Sequence, residues 1–147
     1  MFQRLLSSLT SAPNRAPNPS GRLALAALLV RLARADGDYA AAEVARIDAY
    51  LAAHYQLSPF EAVALRQEAE KLEAEAPDTV RFTRAVKEAV PYEDRMEVMA
   101  ALWSIALADQ DRSADEEALI RLIASLLGIS DKDSAIARQR VIAGDGN

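Results

Sequence analysis

Cysteine is absent from the 147 residues, which excludes disulfides, thiolate metal sites and a cysteine nucleophile. Histidine occurs once, as His54, so no multi-histidine zinc site can form. Glycine (5) and proline (6) are scarce, and nearly all the prolines fall where apolar-periodic segments end. That scarcity points to an all-α chain. Aromatic residues make up only 5%, so a core must be built from Ala, Leu, Val and Ile. Long apolar runs are missing too: Arg22, Arg31 and Arg34 interrupt the best stretch, and no transmembrane segment is expected. The opening Met1–Leu6 lacks the apolar core of about 7–15 residues that marks a signal peptide, and a cytoplasmic location is predicted. A basic excess is also lacking. The net charge of −5 and pI near 4.9 argue against non-specific nucleic-acid binding and favour cations or basic partners. No phosphate-binding Gly-rich loop and no recognisable nucleophile motif are present, so an enzyme is not expected.

What remains is a chain with 51% hydrophobic residues, long enough for one domain that buries about two-thirds of its unfolded surface. Residues 1–20 divide into a short amphipathic stretch, with Phe2, Leu5, Leu6 and Leu9 on one side, and an irregular linker carrying Pro13, Pro17 and Pro19. A single helical domain over 21–143 follows, its halves about 21–76 and 77–143, with 144–147 as a frayed tail. Ser20 should cap a helix reaching about Ala35, with Leu25, Leu28, Leu29 and Leu32 inward and Arg22, Arg31 and Arg34 in solvent. Gly37 should stop it. A helix from Tyr39 to Tyr55 has Asp38 as its expected N-cap and Val44, Ile47, Leu51 and Tyr55 as its apolar face. Ser58-Pro59-Phe60-Glu61 reads as a capping box opening a helix to about Glu75. Further helices are predicted over Thr79–Val90, Glu93–Ala108, from the Ser113 cap to Gly128, and from Ser130 to about Ile142. Met96, Met99, Leu102, Trp103 and Leu107 should be buried core residues. Glu68, Glu70, Glu73 and Glu75 read as an exposed face, His54 as a surface or capping residue, and Lys71, Arg81, Arg84 and Lys87 as a small basic patch.

The most informative pattern is stated twice. Ala35-Asp36-Gly37-Asp38 is followed by Glu43, and Ala108-Asp109-Gln110-Asp111 is followed by Glu116. The three acidic pairs (109 minus 36, 111 minus 38, 116 minus 43) share one spacing of 73 residues. Ala33 with Ala106, Ala45 with Ala118 and Ile47 with Ile120 keep it as well. The chain therefore reads as about seven helices in two similar halves.

Two chemistries fit the corners. Asp-x-Asp with a Glu five residues on supplies oxygen ligands suited to calcium, magnesium or manganese. The loop is not an EF-hand, because its Glu falls at position 8 rather than 12. One corner offers three carboxylates, and both together offer Asp36, Asp38, Glu43, Asp109, Asp111 and Glu116. Alternatively, Asp at a helix N-terminus and Glu in the first turn are ordinary capping residues that face the helix dipole.

Leu32-Ala-Arg-Ala-Asp-Gly-Asp38 with Glu43, then Ile105-Ala-Leu-Ala-Asp-Gln-Asp111 with Glu116 and Leu126-Leu-Gly-Ile-Ser130, resembles the TerB family of tellurite-resistance proteins. The resemblance spans about Gly21 to Ile142. It implies an all-α bundle of about seven helices with an internal two-fold repeat, and an acidic cluster proposed to hold divalent metal. By position that cluster is Asp36, Asp38, Glu43, Asp109, Asp111 and Glu116; Gln110 departs from the pattern where the first copy has Gly37. The expected cofactor is a divalent cation: calcium, magnesium, manganese or zinc. An unidentified protein partner is expected, with peripheral membrane association left open. On the capping alternative the domain is an interaction module, its partner surface an apolar groove between the halves covered by residues 2–10.

Overall fold

A computed structural model describes residues 20–35, 37, 39–75, 78–108 and 114–145. Among them are seven α-helices and no strand: α1 (Gly21–Ala33), α2 (Ala41–Tyr55), α3 (Pro59–Glu75), α4 (Thr79–Ala89), α5 (Arg95–Ala108), α6 (Ala114–Leu126) and α7 (Asp131–Asp145). A 3₁₀ turn, Tyr92–Asp94, leads into α5. The predicted all-α class and number of helices stand. The amphipathic reading of residues 2–10 and the Ser113 cap fall outside the described residues.

The bundle is organised around two helices that are apolar nearly all the way round. In α1 every residue from Ala24 to Val30 is fully buried, as are Leu32 and Ala33. In α5 Val98, Met99, Ala101, Leu102, Trp103, Ile105 and Ala106 are buried. A helix without a polar face must lie inside, and each of the two is walled in by neighbours. α1 packs against α2, α3, α4, α5 and α6, while α5 packs against α1, α2, α6 and α7. Full burial of Leu25, Leu28, Leu29 and Leu32 contributes roughly 1.5–3 kcal/mol each. Gly21 permits the close approach of α1 to α4, because a Cβ there would run into the Ala89 Cβ.

Local chemistry sets the boundaries. The Ser20 hydroxyl accepts the Leu23 N–H at 3.2 Å, as an N-cap should. Gly37 (φ +82°) and Gly128 (φ +76°) adopt the left-handed backbone that the predicted helix stops require. The Ser58 capping box is complete: Ser58 N–H donates to Glu61 Oε1 at 2.9 Å, and Glu61 N–H to Ser58 Oγ at 3.1 Å. α1 ends at Ala33, two residues short of Ala35, and four further boundaries differ from expectation. α2 starts at Ala41 with Ala40 as N-cap, in place of Tyr39 and Asp38. α4 stops at Ala89 because Val90 precedes Pro91 and is held extended (φ −116°, ψ 118°). The helix predicted from Glu93 begins as a 3₁₀ turn, in which Asp94 N–H bonds the Pro91 carbonyl at 2.9 Å. α7 runs on through Gly144 and Asp145, shortening the expected tail.

Helix starts in the two halves keep the spacing of the acidic pairs to within one residue: Gly21 with Arg95, Ala41 with Ala114, Pro59 with Asp131. Pairings recur as well, since α1 packs on α3 as α5 packs on α7. α4 has no counterpart, and bridges the halves by packing on both α1 and α6. Arg95 ties the same region together. Its guanidinium donates to the Val90, Lys87 and Leu127 carbonyls, each at 3.2 Å, and so satisfies acceptors that helix ends leave open.

Candidate functional site

Of the six predicted ligands, Glu43 and Glu116 lie among the described residues; Asp36, Asp38, Asp109 and Asp111 do not. Both glutamates are the third residue of their helix, and both are fully buried. Each also heads the buried stripe of its helix. Glu43, Ile47 and Leu51 follow at helical spacing in α2, as do Glu116, Ile120 and Ile123 in α6. Position in the stripe, rather than affinity of the side chain for the interior, puts these carboxylates inside. A buried carboxylate demands compensation by hydrogen bonds, a cation or a proton. For Glu43 part of it is local: Oε1 accepts the Ala40 N–H at 3.2 Å. Ala40 has no side-chain acceptor to offer in return, so this is one arm of a capping box. Among the described residues, no group of three or more His, Asp or Glu side chains gathers as a metal cluster.

Between α1 and α3, residues expected in solvent form a network instead. Arg31 Nε donates to Glu73 Oε2 at 3.1 Å and Arg34 Nη1 to Glu73 Oε1 at 2.7 Å, so one carboxylate holds both arginines. Arg31 Nη1 also donates to Thr79 Oγ1 at 3.0 Å, and Nη2 to the Glu73 carbonyl at 3.2 Å. Beside it, Tyr39 O–H donates to Glu70 Oε2 at 2.6 Å, and Arg66 joins Glu70 (2.9 Å) to Asp48 (2.6 Å). Burial, reinforced by the hydrogen bond to Glu70 and its charge, pushes the Tyr39 phenol well above its ordinary range. Arg31 and Arg34 are therefore not solvent residues, and Glu70 and Glu73 turn inward while Glu68 and Glu75 stay exposed. A signal for this was present. It marks α1 as carrying cations on an apolar helix, but not their partner, because Arg31 and Glu73 lie 42 positions apart.

The remaining nominees are peripheral. His54 is exposed, stacks on Tyr50 at 5.1 Å between centroids and meets Tyr55 edge-on at 4.7 Å. Arg84, Lys87 and Lys71 are exposed. Trp103 is a core residue as expected, 9% exposed, with its indole N–H donated to Ser134 Oγ at 3.1 Å.

Residues 22–139 match the family model described as Tellurite resistance protein TerB. The chain belongs to the TerB family. That span takes in α1 to α6 and most of α7, so the TerB match and the helical bundle cover the same part of the molecule. Neither a curated protein nor a solved structure matches the chain. No helix among the described residues is long and apolar enough to cross a membrane.

Proposed function

We propose that this TerB domain is a non-enzymatic, cytoplasmic protein that takes up a divalent cation at its acidic corners and serves in tellurite resistance or a related stress response. The observation that supports the reading is the full burial of Glu43 and Glu116 at the same place in two helices. Buried carboxylates of matched position suit hard cations, and the oxygen-only donor set of Asp36, Asp38, Glu43, Asp109, Asp111 and Glu116 suits calcium, magnesium or manganese better than zinc. In this reading Glu43 and Glu116 hold the ion from the helix side, and the four aspartates supply the corner ligands. The ion would compensate the buried negative charge and fix the corners, and the matched helix starts would be an internal repeat carrying one half-site each.

A second reading rests on the Ala40–Glu43 hydrogen bond, which already gives Glu43 the task of a cap. The domain is then an interaction module whose corners are structural, with an unidentified protein as partner.

Thermal unfolding separates the two. EDTA-stripped protein is compared with samples holding calcium, magnesium, manganese or zinc. An ion at 100 times its dissociation constant stabilises the native state by about 2.7 kcal/mol, a midpoint shift of several degrees for a chain of this size. The Glu43→Gln/Glu116→Gln variant should lose that shift and, freed of two buried charges, unfold no earlier than the stripped wild type. Replacing Asp36 and Asp109 should abolish it as well. No shift with any ion at millimolar concentration would overturn cation binding and leave the corners as caps.

A further inference from the structure

A groove of about 360 Å³ opens beside the start of α1, lined by Ser20, Leu23, Leu57, Glu61, Leu65 and Glu68 among others. Its floor is apolar: Leu23, Leu57 and Leu65 are half-buried residues packed on the core from below. Phe60, one residue from Glu61, stands 84% exposed, far more than any other large apolar residue described. Two carboxylates border the groove, and the one cation on its rim, Arg22, has its guanidinium 4.8 Å from the Tyr55 ring.

We infer that this groove is the docking site for the chain's own residues 2–10. Three observations select that occupant. The groove reaches Ser20, which is where residues 1–19 join the bundle. Residues 2–10 contain Arg4 and no acidic residue, so they complement Glu61 and Glu68. Phe2, Leu5, Leu6 and Leu9 fall at i, i+3, i+4 and i+7, the spacing of one helical apolar seam. Reach is sufficient, because residues 11–19 extended would span about 30 Å. Docked in cis, the segment covers apolar surface on the bundle and withholds its own apolar seam from other partners. This device is independent of cation binding at the corners.

The absence of native cysteine makes the test direct. In the full chain carrying Ser7→Cys, a nitroxide label on that cysteine should broaden the amide signals of Leu23, Leu57, Ala64 and Leu65. Broadening should be lost in Leu5→Ser/Leu6→Ser, which leaves the bundle untouched, and weakened in Glu68→Lys, whose side chain is exposed. Unbroadened groove amides would overturn the proposal, as would broadening confined to another face. So would broadening of unlabelled, isotope-enriched chains mixed with labelled ones, which would make the occupant a second copy. Groove amides that stay sharp while the segment binds phosphatidylserine vesicles would overturn it in favour of a membrane surface.

Discussion

The two halves of the bundle share a spacing and a pairing of helices, yet are fastened by different chemistry. In the first half, α1 is joined to α3 by charge: Arg31 and Arg34 on Glu73, with Tyr39, Glu70, Arg66 and Asp48 alongside. In the second, α5 is joined to α7 through the Trp103 indole on Ser134, with the Arg138 guanidinium 5.5 Å from the Trp103 ring. Seventy-three residues beyond Arg31, Arg34 and Asp48 stand Ser104, Leu107 and Arg121. What the halves hold in common is the helix start, the buried Glu and the apolar stripe behind it. The contrast teaches that matched helix starts and matched buried glutamates do not require matched joints behind them.

Removing the aromatic joint should have the largest effect. Trp103→Ala deletes a buried side chain and strands the Ser134 hydroxyl, at about 3–5 kcal/mol. Chemical denaturation should show this loss unchanged between low and high salt. A loss under about 1 kcal/mol would mean that α5 and α7 are held by something else.

Glu73→Ala breaks the ionic joint and should cost less, about 2 kcal/mol. That lies between exposed pairs and fully buried ones, since the side chains are 13–35% exposed. Two arginines lose a shared carboxylate, so part of the loss should be masked as ionic strength rises. An effect as insensitive to salt as that of Trp103→Ala would erase the distinction between the halves.

Much of this frame was legible in residues alone, for identifiable reasons. Ser20, Ser58 with Pro59 and Glu61, Gly37 and Gly128 act within a few residues of themselves, and each does what its type predicts. The duplicated Asp-x-Asp…Glu spacing led to the family that the match over 22–139 shows. Legibility failed where a side chain's surroundings lie far along the chain. Arg31 looks like a solvent residue until α3, more than forty positions later, brings Glu73 to it. The burial of Glu43 and Glu116 was also hidden, because carboxylate chemistry suggests water while the i, i+4 register with Ile47 and Ile120 dictates the core. By residue type α2 should start at Asp38 and Tyr39, whereas the Glu43 carboxylate reaches back to the Ala40 N–H and sets the first turn there.

The smallest effect concerns how α3 and α7 begin. Ser58 caps α3 in a two-armed box with Glu61, whereas the Ser130 hydroxyl caps α7 by accepting the Asp133 N–H at 3.1 Å. Loss of either serine hydroxyl, in Ser58→Ala or Ser130→Ala, should cost about 1 kcal/mol. Acid separates them. The Ser58 N–H, and next its hydroxyl, hold the Glu61 carboxyl below its ordinary value of 4.5. A group whose folded pKa is depressed stabilises the protein above its unfolded pKa, and that contribution is lost as pH falls through the folded value. The start of α3 should therefore loosen on acidification below about pH 4.5. Carbon-13 titration of the Glu61 carboxyl should show its pKa rising toward the ordinary value in Ser58→Ala and staying in place in Ser130→Ala. An unmoved Glu61 in Ser58→Ala would mean the backbone N–H alone sets the carboxyl's acidity, with no share for the hydroxyl.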